Sequence, residues 1–263
     1  MINKRKILED LVNGVITIDE ALEKLNTNRV EAIEDISRYD LLREKRTMIP
    51  EVIFCENKDS QQILRIVEKV LQKKRAIILS RLKEEQALFL ENKLQEYYEL
   101  IFGQRKNVCI IKHKNYAIPK KGGKIGIITA GTSDLPVAEE AKMMAEIMGC
   151  DVELITDVGV AGIHRLFEPL NELLEKEVDV LIVAAGMEGA LPTVVAGLVD
   201  LPVIGLPVSV GYGYGGKGQA ALMSMLQSCS LGVAVVNIDS GINAGAIAAK
   251  IALKAATKRV KEK

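Results

Sequence analysis

Residues 125–134 read Ile-Gly-Ile-Ile-Thr-Ala-Gly-Thr-Ser-Asp, a short apolar run that leads into a loop with a glycine, two hydroxyls and a carboxylate. A helical segment follows, and the same order of apolar run, loop and helix recurs towards the end of the chain. The apolar runs are residues 125–128, 152–155, 178–184, 203–206 and 232–236, and the helical segments are residues 136–148, 165–175, 188–198, 218–226 and 244–257. Runs that are apolar throughout are expected of parallel strands covered on both faces. We therefore predict an α/β fold whose C-terminal part is a doubly wound, three-layer α/β/α parallel sheet.

The N-terminal half has a different pattern. Two short helices are expected first, the second of them opened by Thr17 and Glu20 at the spacing of a capping box. Shorter strands and helices follow: strands at 51–55, 76–79 and 108–111, helices at 64–71 and 83–98. We expect three parts, namely a helical hairpin over residues 1–30, a small α/β domain over 31–118 and a catalytic domain over 119–263, with a glycine-containing linker at the second boundary.

Composition excludes several classes of protein. Hydrophobic residues make up 48% of the 263 residues, and the 35 basic residues balance the 35 acidic ones, so an electrostatic nucleic-acid binder is not expected. No apolar run reaches the ~18 residues of a membrane span, and no apolar segment of a signal peptide follows the charged start. The four cysteines form no CxxC pair, as is typical of reduced thiols in an intracellular chain. These features predict a cytoplasmic enzyme that binds neither nucleic acid nor membrane.

The loops that follow the strands are where a ligand is expected, because helix N-termini offer free N–H groups at that edge of a parallel sheet. Gly131, Thr132, Ser133 and Asp134 suit a phosphate and a ribose, although Ser or Asp at this position also serves as an ordinary helix cap. The glycine-rich loop 211–218 could place Lys217 on a phosphate, and a mobile lid is an equally good interpretation.

Four segments, taken together, resemble the aminoimidazole ribonucleotide carboxylase (PurE-like) superfamily, whose catalytic domain is flavodoxin-like. They are Gly131-Thr-Ser-Asp134 and residues 185–192, 201–208 and 225–233. Two departures separate this chain from the purine-pathway members. Ala190 stands where those enzymes carry a histidine, the general acid or base, and Cys229 stands where they carry a proline. The resemblance therefore implies a carboxylase whose chemistry differs from ordinary purine synthesis.

Residues 40–46 and 50–54 are similar to one subgroup, the LarB proteins, although Met48-Ile49 departs from the Gly-x that usually precedes Pro50-Glu51. This resemblance implies carboxylation of nicotinic acid adenine dinucleotide at ring C5 and hydrolysis of its phosphoanhydride, the first step of nickel-pincer nucleotide cofactor synthesis. CO2 or bicarbonate would be the co-substrate, and Mg2+ would neutralise the substrate phosphates. The superfamily also implies a homo-octamer with shared active sites.

Within that resemblance, Cys229 is the expected nucleophile and Glu188 the expected general base. Each has an ordinary alternative, since a free cysteine is most often buried packing and a carboxylate near a helix start is favoured by the helix dipole. Further substrate contacts are expected from Gly186, Met187, Gly189 and Asn237. Arg43 and Arg46 would hold the adenylyl phosphate, or belong to a solvated loop. No cluster of metal ligands is identified, and His113 and His164 are expected to be structural.

Two rival functions stay open, a purine-pathway carboxylase or mutase and a non-catalytic nucleotide-binding regulator. The predicted strand positions also place Cys229 before the last strand, at the edge of the sheet opposite the ligand loops. A neighbouring chain that donates this loop would bring the cysteine to the site.

Overall fold

The computed structural model describes residues 4–25, 30–33 and 37–261. The chain begins with helices α1 (Lys4–Val12) and α2 (Ile18–Leu25), which confirms the two predicted helices. Residues 1–3 and 26–29 lie outside the described residues, and the extent of the hairpin over residues 1–30 stays a prediction. The predicted capping box is formed: the N–H of Thr17 donates to Glu20 Oε2 at 2.8 Å, and the N–H of Glu20 donates to the Thr17 hydroxyl at 3.2 Å. An antiparallel pair, β1 (Val30–Ile33) and β2 (Ser37–Asp40), follows and was not predicted.

A four-stranded mixed sheet lies between residues 52 and 113, with strand order β3-β4-β6-β5. Its strands are β3 (Val52–Phe54), β4 (Ala76–Ser80), β5 (Tyr98–Phe102) and β6 (Val108–His113), and the helices around it are α3 (Arg43–Thr47), α4 (Ser60–Leu71) and α5 (Glu84–Leu94). The predicted helix 83–98 was wrong at its end, because residues 98–102 form an edge strand that pairs with β6. The alternation of half-buried and exposed residues in β5 fits such an edge.

The C-terminal part confirms the predicted doubly wound fold. Five parallel strands have the order β11-β10-β9-β7-β8. They are β7 (Lys124–Thr129), β8 (Asp151–Ile155), β9 (Val180–Ala185), β10 (Val203–Pro207) and β11 (Val233–Val235), and they alternate with α6 (Leu135–Ile147), α7 (His164–Glu175), α8 (Leu191–Ala196), α9 (Gln219–Leu226) and α10 (Gly241–Lys261).

Successive residues of β9 pack on opposite sides of this sheet. Val180 and Ile182 join the cluster formed with α6 and α10, whereas Leu181 and Val183 join the cluster formed with α7, α8 and α9. Every residue of β9 is buried, which explains why the sequence shows no polar alternation there. The strand order reverses between β7 and β9, and the loops after these two strands therefore diverge to opposite sides and leave a crevice.

The mixed sheet packs against the same helical layer. Ile78 and Ile110 belong to the cluster that includes α6 and α10, whereas Ile77 and Ile111 face α4 and α5. One buried cluster thus runs from the mixed sheet into the parallel sheet, and where the chain divides into domains stays a prediction. Gly245 permits the close approach of α10 to α6, because a Cβ there would lie 2.3 Å from the carbonyl oxygen of Ala141.

Candidate functional site

A cleft of about 300 Å³ opens at the point where the strand order reverses. We call it the switch-point cleft and define it by Gly131, Ser133, Asp134, Gly186, Met187, Glu188 and Ala190. Two loops from the carboxyl ends of β7 and β9 supply these residues. The position agrees with the rule that ligands of open α/β sheets bind where the strand order reverses.

Asp134 ties the two loops together. Its Oδ2 accepts the N–H of Gly131 at 2.8 Å, and its Oδ1 accepts the N–H of Gly186 at 3.1 Å. The side chain is buried, and this burial raises the pKa of the Asp134 carboxyl, while the two N–H groups offset part of the rise. Asp134 therefore fixes the width of the cleft. Ser133 and Thr132 are exposed beside it, and of these two only Ser133 lines the cleft.

The loop after β9 carries Glu188 into the cleft. Gly186 lies close to the backbone that follows β10, since a Cβ there would be 2.2 Å from the carbonyl oxygen of Val210. Met187 and Gly189 both have positive φ angles, 51° and 66°, which no α-helix allows. The predicted helix 188–198 was therefore wrong at its start: α8 begins at Leu191, and Glu188 is an exposed loop residue that lines the cleft.

Ala190 is the residue that precedes α8, and it also lines the cleft. A methyl group here offers no proton to a substrate. Glu188 is thus the one side chain with a free ionisable group among the cleft-lining residues, because both oxygens of Asp134 are already engaged.

The four cysteines all lie in the described residues and divide sharply by exposure. Cys55, Cys109 and Cys150 are buried, and desolvation raises the pKa of their thiols, to about 12 for Cys55, well above the ordinary value for Cys109 and to about 11 for Cys150. Cys229 is exposed. Low exposure and a raised pKa both suppress the thiolate that reacts as a nucleophile, so Cys229 is the candidate that remains.

Cys229 lies in the loop between α9 and β11, at the amino edge of the sheet, as predicted. The Thr193 hydroxyl donates to the Ser228 hydroxyl at 2.9 Å and thereby fastens this loop to the side of α8. Cys229 does not line the switch-point cleft of its own chain. Near it in sequence, the large apolar side chains of Met223, Leu226 and Leu231 are 69%, 67% and 92% exposed.

The remaining predicted residues lie elsewhere. Lys217 is exposed near the start of α9, and Asn237 is exposed with its Oδ1 accepting the N–H of Ile238 at 2.9 Å; neither lines the cleft. Gly189 is buried against the backbone of Ala221. Arg46 forms an ion pair with Asp40.

Arg43 lines a second cavity of about 290 Å³, between the mixed sheet and α10. We call it the interdomain cavity, after the predicted division of the chain, and define it by Arg43, Glu51, Arg81, Glu140, Asp239 and Asn243. Arg43 and Arg46 lie one turn apart in α3, and of the two only Arg43 lines this cavity; their contact with the adenylyl phosphate stays a prediction. Arg81 was not predicted, since it belongs to a connection far from residues 237–243 in the chain.

Sequence reasoning also missed Gly159, Val160 and Ala161, which follow β8 and close one side of the switch-point cleft. The sequence contained a signal for them, because every loop that follows a strand of a parallel sheet is a candidate ligand-binding loop. No group of three or more His, Cys, Asp or Glu side chains that could hold a metal ion occurs in residues 4–25, 30–33 and 37–261. Across the same residues, no helix is both long and apolar enough to span a membrane.

Comparisons with known proteins agree with this architecture. The family model described as AIR carboxylase matches residues 124–263, and the one described as LarB/PurE-like N-terminal domain matches residues 30–112. An uncharacterized protein of Methanocaldococcus jannaschii is 44% identical over 95% of this chain and 97% of its own length. The N5-carboxyaminoimidazole ribonucleotide mutase of Thermotoga maritima is 36% identical over 49% of this chain and 74% of its own length.

Proposed function

Because this chain belongs to the AIR carboxylase family and carries a LarB/PurE-like N-terminal domain, we propose that it carboxylates nicotinic acid adenine dinucleotide at C5 of the pyridinium ring. It would also hydrolyse the phosphoanhydride, which gives pyridinium-3,5-dicarboxylate mononucleotide and AMP, the first step of nickel-pincer nucleotide cofactor synthesis. CO2 or bicarbonate supplies the carboxyl group. The observation that carries the proposal is the exposure of Cys229, at the position that distinguishes this chain from its purine-pathway relatives.

A pyridinium ring is electron-poor, and its C5 does not attack CO2 unaided. Addition of the Cys229 thiolate to C4 forms a C–S bond and turns the ring into a dihydropyridine, whose C5 has the nucleophilic character of an enamine. C5 then forms a C–C bond to CO2. Loss of the C5 proton to a base and expulsion of the thiolate restore the aromatic pyridinium, so the cysteine is recovered unchanged.

Glu188 is the base in this scheme, because its carboxylate is exposed in the cleft, within reach of a ring bound there. Ala190 supports the same chemistry, because a small side chain leaves room for a ring and introduces no competing acid.

The nucleophile has to come from a neighbouring chain in this proposal. Cys229 and Glu188 lie at opposite edges of the sheet within one chain, and Met223, Leu226 and Leu231, near the cysteine in sequence, are exposed apolar side chains. Such a surface is typical of a protein–protein interface. A homo-octamer with shared sites is the assembly that we propose.

Mg2+ would enter with the diphosphate of the substrate. The described residues provide no cluster of ligands for it, and no step of this scheme depends on a protein-bound metal ion.

A purine-pathway mutase is the second candidate, favoured by the 36% identity to the Thermotoga maritima mutase. Two proteins of Methanocaldococcus jannaschii argue against a mutase activity. That organism has the full-length relative and, separately, a protein named N5-carboxyaminoimidazole ribonucleotide mutase that is 39% identical over 48% of this chain. Both kinds of protein thus occur in one organism, as expected if they catalyse different reactions.

The test is mass spectrometry of nicotinic acid adenine dinucleotide incubated with bicarbonate, Mg2+ and either wild type or Cys229→Ala. We expect the carboxylated mononucleotide and AMP from wild type alone. Turnover of N5-carboxyaminoimidazole ribonucleotide instead would favour the mutase. If both proteins bind the dinucleotide and neither changes it, the chain is a nucleotide-binding regulator.

A further inference from the structure

The interdomain cavity plays no part in the thiol chemistry above. It lies between residues that follow β2 and β4 on one side and the start of α10 on the other. Its volume of about 290 Å³ nearly equals the 300 Å³ of the switch-point cleft. Both are at the lower end of the ~300–1,000 Å³ range of small-molecule sites, which suits half of a dinucleotide rather than all of it.

Two arginines face this cavity from the N-terminal part of the chain. Arg43 Nη1 lies 3.1 Å from Glu51 Oε2, and Arg81 Nη2 donates to the carbonyl oxygen of Asp239 at 3.3 Å. Their side chains are 46% and 41% exposed, so they border the mouth. A guanidinium has five N–H donors in a planar fork, and the contacts shown use only part of that capacity.

The opposite wall combines polar and apolar groups. Asn243 and Ser240 lie at the start of α10, a 21-residue helix whose first N–H groups and positive dipole end favour an anion. Ile242 and Ala246 add an apolar surface. Such a wall suits a heterocyclic base beside a sugar and a phosphate.

Glu140 provides a buried acceptor at the cavity. The Ser80 hydroxyl donates to Glu140 Oε1 at 2.7 Å, and the carboxyl is 4% exposed. Burial raises the pKa of Glu140, and the bond from Ser80 and the nearby Arg81 partly offset the rise. Glu140, Glu51 and Asp239 thus place three carboxyl groups at the cavity beside the two arginines.

A short strip of backbone separates the two cavities. The N–H of Ser209 donates to Asp239 Oδ1 at 2.8 Å, on the side of the interdomain cavity. The N–H of Met187 donates to the carbonyl oxygen of Val210 at 3.0 Å, on the side of the cleft. Ser209 thus contacts a residue of the interdomain cavity, and its neighbour Val210 contacts a residue of the cleft. Since β9 and β11 are two strand spacings apart, the sites are on the order of 10 Å from each other along the sheet edge.

We propose that the interdomain cavity binds a nucleoside monophosphate, the adenylyl half of the dinucleotide, with its phosphate facing Arg43, Arg81 and the start of α10. The identity of the base rests on the proposed function. The phosphoanhydride then crosses the strip formed by Ser209 and Val210, and the pyridine nucleotide occupies the switch-point cleft. The N-terminal part of the chain therefore supplies substrate-binding residues as well as packing.

The test uses AMP alone as the probe, titrated calorimetrically into the full chain. Wild type is expected to bind AMP, and Arg81→Ala to bind it about tenfold more weakly or worse, the usual effect of a lost charge-assisted hydrogen bond. Asn243→Asp places a carboxylate in the cavity and should weaken the binding of AMP by a similar factor. This change keeps the fold, because Asn243 is exposed and an acidic residue is favourable at a helix start.

Two controls make the result specific. Arg105→Ala removes an exposed arginine that lines neither cavity and should leave AMP binding unchanged. Nicotinic acid mononucleotide should bind wild type and Arg81→Ala within about twofold, since it would occupy the cleft. AMP affinity that is absent in wild type, or equal in wild type and both cavity variants, overturns the inference. The turnover assay judges the proposed function separately, because AMP binding requires no chemistry.

Discussion

The Oδ1 atom of Asp134 accepts the N–H of Gly186 at 3.1 Å and so joins the loop after β7 to the loop after β9. These strands are neighbours in the sheet, and the connections leave them in opposite directions. The other carboxylate oxygen holds the N–H of Gly131 at 2.8 Å. One buried side chain therefore sets the distance between the two walls of the switch-point cleft, and the ribose contact expected of Asp134 from the sequence stays a prediction.

Asp134→Asn is expected to loosen this cleft. An amide has one acceptor oxygen, so its NH2 group would face one of the two backbone N–H groups and leave that donor unpaired. We expect the free energy of unfolding to fall by about 1–3 kcal/mol in urea titrations. Binding of nicotinic acid mononucleotide should weaken in the same variant.

Asp157→Asn is the matched control, because Asp157 is exposed and pairs with Arg165 on the surface. Its effect should stay within about 0.5 kcal/mol. Equal stability of Asp134→Asn and wild type would show that the carboxylate is dispensable for holding the loops.

Thiol labelling should distinguish Cys229 from the other three cysteines. In the native protein we expect one fast-reacting thiol per chain, because burial raises the pKa of Cys55, Cys109 and Cys150 and hides them from the reagent. Cys229→Ala should show none until it is unfolded, when three react. Excess dinucleotide should slow the labelling of wild type, and rapid labelling of a second cysteine would contradict the exposure pattern.

The switch-point cleft was largely predictable, because apolar runs without alternation identify buried parallel strands and so place residues 131–134 and 186–188 at one edge. The edge strand at residues 98–102 was not predictable from the sequence. It follows directly after a helix, and its hydrophobic pattern fits either a helix or a strand. The interdomain cavity could not be found from sequence. Arg81 and Asp239 are 158 positions apart, and they meet only through the packing of one sheet on the helices of another.

The pH dependence of stability should reveal Glu140. Burial raises its pKa above the unfolded value of 4.5, so the folded state binds this proton more tightly than the unfolded state does. Stability from this group is therefore full below pH 4.5 and is lost as the pH rises through the folded pKa. Unfolding of wild type and Glu140→Gln should be compared across this range. Other carboxyls titrate in both proteins and cancel in the difference, so parallel curves would contradict the prediction.

Gly245→Ala should destabilise the protein although alanine is the better helix former. The new Cβ would lie 2.3 Å from the carbonyl oxygen of Ala141, so α10 would have to move away from α6. We expect a loss of about 1–3 kcal/mol by urea unfolding, typical of overpacking. Gly197→Ala is the control, since its nearest new neighbour, Ser230 Oγ, is 3.5 Å away. A more stable Gly245→Ala protein would mean that the helices can separate freely.

Mixed oligomers should show whether the active site is shared between chains. Cys229→Ala lacks the proposed nucleophile and Glu188→Gln the proposed base, and each alone is expected to be inactive. If a neighbour donates Cys229, a chain with an intact Glu188 can be paired with a chain that has an intact Cys229. Random mixing of equal amounts then restores about a quarter of the wild-type sites.

Both residues are exposed, so neither change should impair folding. Co-expression with two affinity tags isolates the mixed species, and its rate of AMP release is the measurement. If isolated mixed oligomers are as inactive as each variant alone while wild type turns over, both residues act within one chain and the shared site is wrong.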